Sequence, residues 1–399
     1  MLEQTLRDGE SDDIEMSAMP SDNTKKFEVE KACDEVNLEE LVRLADSPDG
    51  LLEDSLRRRA WSILLGYAIT KKSEPDVSWK SLPKHRDEVQ VRLDVDRAFV
   101  YYPNKDSERT RRARKEQLFD LIVSVLRRHP ALCYSQGYHD IAQVLLLVLG
   151  QDEAAAALTH LSLLRIRDYM LPSLAPALNH LQLLPAIFKQ ADPPLAAQLS
   201  HTDPYFAISA TITLYAHNIE DYGDIARLFD FILAHEPVLS LYLFAAMVIS
   251  RRGELLEIDE TDMLNFQLTK LPQPLDLQAY IDKALSLFEK HGPEGLPGFV
   301  WWRLPTSSVL KTSRSLKQPQ TLEEAEETFR VQARQLEQEK KRKDLQRKMS
   351  LLLKRNRRPV VSVTVALLAG CLAIWMRRTG NGQLIMGVLA TLARSSWKR

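Results

Sequence analysis

The chain has 399 residues, of which 45% are hydrophobic, and its 53 lysines and arginines nearly balance 54 aspartates and glutamates. This length allows two or three domain-sized units, and the apolar content excludes a wholly disordered chain. The cysteines Cys33, Cys133 and Cys371 lie far apart, so we expect neither a disulfide framework nor a zinc site, and a reducing compartment is indicated. Glycine is scarce, at 14 residues, while helix formers abound, and we therefore expect an all-α fold.

The first 35 residues form an acidic segment without hydrophobic periodicity. Carboxylates such as Asp12, Asp13 and Glu15 dominate it, together with serine, asparagine and proline. A segment of this composition buries too little apolar surface to fold, so a disordered N-terminus is predicted over 1–35. No apolar run of the signal-peptide type occurs near Met1, and we expect synthesis in the cytosol.

A helical domain is predicted over 36–303. Apolar residues recur there at helical intervals, and the expected helices include 118–127, 142–149, 154–164, 224–234 and 275–291. One uncharged run, 238–250, spans only 13 residues. This length is more typical of a helix buried in a soluble core than of a membrane span.

The composition changes after this domain. A linker rich in serine, threonine, lysine and proline is predicted over 304–320, followed by a charged helical stalk over 321–358. The stalk begins acidic and ends basic: from Lys340 to Arg358, ten bases accompany a single acidic residue, Asp344. Such a basic end is typical of a segment that lies near an anionic surface.

An uncharged apolar stretch, 360–376, directly follows these bases. As a helix it would measure about 26 Å, just short of a hydrocarbon core of about 30 Å. The flanking bases and Trp375 beside Arg377 are typical of a transmembrane helix whose preceding residues face the cytosol, although a buried helix is the alternative. The tail 377–399 carries a second apolar segment, 384–393, which is too short to cross alone and could enter the far leaflet or complete a hairpin.

The sequence lacks the motifs with which proteins hold their own nucleotide, metal or acyl intermediate. It contains no phosphate-binding loop, no dinucleotide-binding glycine motif and no kinase signature. It also contains no His-Glu-x-x-His motif, no clustered histidines and cysteines, and no Gly-x-Ser-x-Gly elbow. His139 beside Asp140 could form a catalytic pair, but no nucleophile accompanies it and we favour a structural role for this histidine.

Three short polar stretches stand out within the predicted domain, namely 56–66, 91–97 and 134–140. In the first, Arg57 and Trp61 lie four residues apart on one helical face. In the second, Asp94 and Arg97 lie three residues apart, and in the third Gln136 lies in a glycine-containing turn. Taken singly, these patterns are typical of a packing pair, a surface salt bridge and a turn.

Taken together and in this order, the three stretches resemble the TBC domain, the catalytic domain of Rab GTPase-activating proteins. The family patterns Arg-x-x-x-Trp, Ile-x-x-Asp-x-x-Arg and Tyr-x-Gln appear at residues 57–61, 91–97 and 134–136, with Val91 in place of isoleucine. Residues 227–230 are similar to the family's Arg-x-Trp-Asp helix, with Phe229 in place of tryptophan. The resemblance covers about residues 50–302. Together with the predicted anchor, it is strongest to the ER-anchored members of the family.

This resemblance implies chemistry performed in trans on a partner. A small GTPase would hold the GTP and Mg²⁺, so the chain would need no cofactor or metal of its own. Arg97 would be an arginine finger that stabilises the charge developing on the phosphoryl oxygens. Gln136 would be a second finger, whose amide can accept a hydrogen bond from the attacking water and donate another.

The other motif residues are implied to support these two fingers. Asp94 would hold the orientation of the finger arginine, and Tyr134 and Gly137 would shape the loop that carries the glutamine. Arg57 and Trp61 would form a structural motif within the domain.

The expected partner is therefore a Rab GTPase in its GTP form, from early secretory (ER-to-Golgi) traffic, and no nucleic acid. The expected location is the ER membrane, with the catalytic domain facing the cytosol. Two alternatives stay open. One is a catalytically silent Rab-binding adaptor, which loss of either finger would indicate, and the other is a membrane-shaping or tethering protein of the ER.

Overall fold

The computed structural model describes residues 22–67, 78–103, 106–317 and 320–355, and the single positions 370, 371, 374 and 378. Every regular element within these residues is a helix, which confirms the predicted all-α class. The chain divides into two compact units, Met1–Ala333 and Arg334–Arg399.

The first half of the described chain contains helices α1 to α9. They are α1 (Asp22–Asp34), α2 (Leu38–Asp46), α3 (Asp54–Leu64), α4 (Glu88–Val95), α5 (Glu108–Arg128), α6 (Tyr138–Leu164), α7 (Ala175–Leu181), α8 (Leu183–Ala191) and α9 (Pro193–Gln198). Short 3₁₀ helices lie at Trp79–Ser81, Arg167–Met170 and Leu199–His201.

The second half continues with helices α10 to α18. They are α10 (Ile208–Ile212), α11 (Tyr222–Ala234), α12 (Leu239–Ser250), α13 (Arg252–Leu256), α14 (Thr261–Leu268), α15 (Leu277–Lys290), α16 (Val300–Arg303), α17 (Val309–Thr312) and α18 (Leu322–Arg355). Further 3₁₀ helices lie at Pro204–Ala207, Pro293–Gly295 and Pro297–Phe299. Several α-helices begin at a side-chain oxygen that accepts a first-turn backbone N–H; these caps are Asn37, Ser107, Asp192, Asp221 and Asp276.

The core of the first unit is built around α6. By length and composition α6 could cross a membrane, but side chains along most of it are buried among other helices of the unit. Gly150, at φ 76° and ψ 174°, interrupts α6 between the two helices predicted at 142–149 and 154–164. Helix α5 packs along α6, and α12 packs along α15. The run at 238–250 forms α12 and is almost wholly buried, as predicted for a core helix.

Helix α1 contradicts the expectation of disorder over 1–35. Its residues Val29, Ala32 and Cys33 are buried, and α1 packs against α2 and α3. These three positions have the spacing of one helical face, but the many charged residues around them obscure the pattern. Residues 1–21 lie outside the described residues.

A buried carboxylate on α11 connects distant parts of the unit. Asp230, whose side chain is 0% exposed, accepts hydrogen bonds from Trp61 Nε1 at 2.8 Å, Arg57 Nε at 3.1 Å and Leu51 N at 2.9 Å. Burial raises the pKa of Asp230, and the charge of Arg57 opposes that rise. A Cβ on Gly50, at φ 54°, would lie 2.5 Å from Asp230 Oδ2, so the loop before α3 approaches this carboxylate closely.

The neighbouring residues of α11 extend the same contact. The rings of Phe229 and Trp61 lie 5.9 Å apart between centroids. Arg227 Nη2 donates to the carbonyl of Ser47 at 3.1 Å and to Gln278 Oε1 at 2.9 Å. Helix α11 therefore joins the end of α2, the first turns of α3 and the start of α15.

The first unit extends past residue 303, the predicted end of the domain. Val309 and Leu310 of α17 are buried, and so are Ala325 and Phe329 at the start of α18. The predicted linker 304–320 and the first part of the predicted stalk thus lie within the compact unit ending at Ala333.

A polar network fastens this additional segment to the domain. Asp168, which is 1% exposed, accepts from Ser308 Oγ at 2.7 Å, His180 Nε2 lies 2.9 Å from it, and Gln332 Nε2 donates to it at 3.1 Å. The adjacent Arg167 is fully buried and donates to the carbonyl of Ser307 at 2.6 Å. Polar side chains such as Ser308 and Gln332 thus belong to a buried hydrogen-bond network.

Beyond Ala333, α18 continues to Arg355, and its side chains from 337 to 351 are exposed. The predicted transmembrane helix 360–376 and the tail 377–399 lie outside the described residues except for the single positions given above. The membrane anchor therefore stays a prediction.

Removing the buried carboxylate of α11 is expected to destabilise the domain. Asp230→Ala leaves the buried Arg57 guanidinium with Asp54 as its remaining carboxylate partner, and breaking a buried ion pair typically costs about 3–5 kcal/mol of unfolding free energy. Chemical denaturation followed by far-ultraviolet circular dichroism measures this. The matched control is Asp34→Ala, which removes an exposed aspartate paired with Arg59 and should leave the midpoint almost unchanged. Equal midpoints for the two variants would contradict the structural importance of Asp230.

The start of α18 is expected to behave as core rather than stalk. Phe329 is 1% exposed, so Phe329→Ala should lower the free energy of unfolding by about 3–5 kcal/mol. Leu345→Ala on the same helix removes a side chain that is 59% exposed and serves as the control. Thermal unfolding of the full chain compares the two, and a Phe329 variant as stable as the control would show that this turn does not belong to the folded unit.

Candidate functional site

Arg97 is the second residue after the end of α4, and its side chain is 69% exposed. Its Nη2 donates to Asp94 Oδ1 at 2.6 Å, and its Nε donates to the carbonyl of Leu93 at 3.3 Å. Within the described residues, Nη1 has no hydrogen-bond partner. The guanidinium is therefore oriented from one side and available to a ligand on the other.

The carboxylate of Asp94 connects this arginine to a second loop. Asp94 is completely buried, and its Oδ1 also accepts from Gln90 Nε2 at 3.1 Å. Its Oδ2 accepts from the hydroxyl of Tyr134 at 2.9 Å. Both oxygens are thus hydrogen-bonded, as a buried carboxylate requires.

The second loop connects α5 to α6 and carries Gln136. It is held by Tyr134, whose hydroxyl binds Asp94 and whose N–H donates to Asp87 Oδ2 at 2.9 Å. Gly137 caps α6 at φ 89°, and a Cβ there would lie 2.5 Å from Thr213 Cγ2. Only glycine fits this approach and this backbone conformation. The exposed Gln136 therefore lies directly before the N-terminus of α6.

Arg97 and Gln136 line one cavity of about 420 Å³. Its walls come from the end of α4, the segment 98–102, the start of α6 and the region around α10; they include Phe99, Tyr101, Tyr102, His139, Asp140, Gln143, Ile212, Thr213 and His217. The structure thus brings together the second and third polar stretches of the sequence at a single concave surface.

Burial determines the protonation of the groups behind this cavity. It raises the pKa of the Tyr134 hydroxyl, and Asp94 adds to the effect, so the hydroxyl stays protonated as a donor. Burial also lowers the pKa of His139, and the nearby carboxylate of Asp140 opposes this decrease. The Tyr134 hydroxyl and His139 Nδ1 lie 3.3 Å apart, so these groups form one contiguous polar network.

The first polar stretch lies elsewhere. Arg57 and Trp61 bind Asp230, and neither lines the cavity. Among the described residues, no group of three or more histidine, cysteine or acidic side chains is arranged to hold a metal ion.

Sequence patterns missed several residues of the cavity. Phe99, at φ 60°, donates its N–H to Gln143 Oε1 at 2.9 Å, and His217 Nδ1 lies 3.0 Å from Asp140 Oδ2. The members of these pairs are separated by 44 and 77 residues. No local periodicity or spacing signals contacts over such distances along the chain.

Known proteins resemble this chain over half of its length or more. The model of the Rab-GTPase-TBC domain family matches residues 54–256, about half of the chain. TBC1 domain family member 20 from Homo sapiens is 34% identical over 267 residues, which are 66% of this chain and 66% of the relative. The Bos taurus protein of that name is 35% identical over 260 residues, 64% of each chain. The chain thus spans just under two thirds of the length of these mammalian relatives.

A fungal relative and a solved structure give the same result. GTPase-activating protein gyp10 from Schizosaccharomyces pombe is 35% identical over 262 residues, 64% of this chain and 70% of that protein. The crystal structure of the Ypt/Rab-GAP domain of Gyp1p aligns with a TM-score of 0.57 at 16% identity, covering 68% of this chain and all of that chain, so the fold is shared. The resemblance found in the sequence is confirmed, and the chain belongs to the Rab-GTPase-TBC domain family.

Proposed function

We propose that the chain is a GTPase-activating protein that accelerates GTP hydrolysis by a Rab GTPase, with Arg97 and Gln136 supplied in trans. The observation that carries this proposal is the placement of both side chains on one cavity, joined behind it through Asp94 and Tyr134. The name of the fungal relative, GTPase-activating protein gyp10, supports the same activity.

Arg97 acts as the arginine finger in this proposal. Phosphoryl transfer develops negative charge on the oxygens around the γ-phosphorus, and a guanidinium aimed at them stabilises the transition state. Arg97 is exposed, while Asp94 binds its Nη2, so Nη1 can reach an anionic ligand without breaking that pair. Asp94 is therefore a positioning residue for the finger.

Gln136 orients the attacking water in this proposal. Its amide offers an acceptor oxygen and a donor nitrogen, the two functions needed to hold a water in line with the phosphorus. Tyr134 and Gly137 position the loop, the first through Asp94 and the second through its approach to Thr213. The GTPase supplies the nucleotide and Mg²⁺, and the chain supplies no cofactor.

The surface next to Arg97 suits a docked protein. Val89 and Leu93 precede Arg97 at intervals of four residues and are 75% and 54% exposed, and Val100 beyond it is 71% exposed. Val89 and Leu93 lie on one face of α4, and Val100 follows the finger in the adjoining segment. A GTPase covering them would exclude water from the site and so strengthen the interaction of the guanidinium with phosphate.

Arg57 and Trp61 have a structural role in this proposal. They are buried against Asp230 and connect α3 to α11, away from the cavity. Their contribution to activity would come through the stability of the domain.

We further propose that the substrate is a Rab of ER-to-Golgi traffic in its GTP form and that the chain is anchored in the ER membrane with its catalytic domain in the cytosol. The apolar stretch 360–376 and the bases before it support the anchor. Its marginal length suits the ER bilayer, which is a few ångströms thinner than the plasma membrane.

The two fingers are tested by single-turnover GTP hydrolysis with a panel of purified Rabs and the full chain in detergent. Wild type is expected to accelerate one or a few Rabs more than about a hundredfold. Arg97→Ala should lose nearly all of this, because a finger contributes about 10³–10⁵ in rate, or about 4–7 kcal/mol. Gln136→Ala should also lose most of it.

The control is Arg59→Ala, which removes an arginine that is 45% exposed and paired with Asp34 outside the cavity. It should retain the wild-type rate. Binding of a GTP-loaded Rab without acceleration by the wild-type chain would contradict the activity and favour the adaptor.

The anchor is tested by deleting residues 356–399. The full chain should stay in the membrane pellet after alkaline carbonate extraction of microsomes, whereas the truncated chain should move to the supernatant. Deletion of residues 1–21 is the control and should leave the chain in the pellet. A truncated chain that remains carbonate-resistant would rule out 360–376 as the anchor.

A further inference from the structure

The segment 213–217, directly after α10, faces the glutamine loop across the cavity. Thr213 touches the site of the missing Cβ of Gly137, at 2.5 Å from Cγ2. His217 Nδ1 lies 3.0 Å from Asp140 Oδ2. Asp140 in turn donates its N–H to the carbonyl of Gly137 at 3.0 Å. Two contacts thus converge on the turn from which Gln136 projects.

This segment is itself held firmly from behind. Leu214 and Tyr215 have φ angles of 48° and 67°, a left-handed conformation that costs free energy in residues other than glycine and persists only where surrounding contacts impose it. Tyr215 is fully buried, and its hydroxyl donates to the carbonyl of Ser240 on α12 at 2.6 Å. Thr213 Oγ1 donates to the carbonyl of Ser209 at 2.8 Å. These contacts hold the backbone of segment 213–217 in place, so the segment can position the residues that it contacts.

Asp140 is the residue of α6 to which His217 of this segment is hydrogen-bonded. Its side chain is 15% exposed, with His217 at Oδ2 and His139 Nε2 3.3 Å from Oδ1. It lies in the first turn of α6, where the helix dipole favours a carboxylate. Through His139 and Tyr134 the contacts continue to Asp94, so both fingers belong to one polar network.

We propose that His217 is a positioning residue for Gln136: its imidazole ring binds Asp140 and thereby fixes the start of α6, on which the glutamine loop depends. This inference rests on the proposed GTPase-activating function and deepens it. His217 acts through Asp140, and it makes no contact with the reacting atoms.

The charge of His217 makes this role testable by pH. The hydrogen bond to Asp140 raises the pKa of His217, whereas burial lowers that of His139. Several charged or titratable groups surround His217. They are Asp140 and His139 from α6, Asp94 and Arg97 from the end of α4, and Tyr101, Tyr102 and Tyr134 from the adjoining loops. The ion pair is complete below the ordinary histidine pKa and is lost as the pH rises through the elevated pKa of His217.

The test is single-turnover GTP hydrolysis by a Rab that the wild-type full chain accelerates, measured against pH with His217→Ala and His217→Asn. His217→Ala should lower the maximal rate by about tenfold to a hundredfold, since a small displacement of a catalytic group costs that much, while the concentration for half-saturation changes little. Asparagine can donate to Asp140 without titrating, so His217→Asn should restore most of the rate. It should also lack the fall in activity that wild type shows as the pH rises.

His201→Ala, at an exposed histidine outside the cavity, is the matched control and should keep the wild-type rate and pH profile. His217 has a side chain that is 60% exposed, so the variants should fold, which thermal unfolding verifies. A His217→Ala variant with the wild-type rate at every pH, or with only weaker Rab binding, overturns the inference. Failure of the wild-type chain to accelerate any Rab overturns the proposed function instead.

Discussion

The buried carboxylate of Asp94 is the constraint on which the candidate site depends. A charge with no exposure to solvent must be satisfied within the protein, and here Arg97, Gln90 and Tyr134 satisfy it. The same requirement therefore orients the arginine and draws the loop of Gln136 towards it. Loss of these hydrogen bonds would leave the buried charge of Asp94 unpaired. The free-energy cost of that state keeps Arg97 and the loop of Gln136 in their relative positions.

A second buried carboxylate performs a different task. Asp230 gathers Trp61, Arg57 and the backbone of Leu51, so it stabilises the domain rather than the cavity. The two carboxylates explain why motif residues of similar appearance in the sequence have different places in the molecule. In the pair of Asp94 and Arg97 the guanidinium is exposed to solvent. In the pair of Asp230 and Arg57 it is buried.

Much of the helical architecture follows from local patterns. Helices α11 and α15 correspond to the predicted apolar periodicity, α12 corresponds to the predicted uncharged run, and Gly150 divides α6 as its conformational freedom predicts. Helix α5 begins at Glu108, well before its predicted start at 118. The sequence patterns did not predict the buried faces of α1 and of segment 304–333. These faces are narrow, and the remaining residues are polar. In both places burial depends on a partner surface, such as the Asp168 network, that composition does not reveal.

The sequence by itself determined the all-α class and the family resemblance, because helix periodicity and motif spacing are local properties of the chain, and this resemblance implies the two candidate fingers. Only the tertiary structure decided that Arg97 and Gln136 line one cavity, and that His217 meets Asp140 across 77 residues of chain. The physical reason is that such contacts arise from helix packing, which the order of residues along any one segment does not encode.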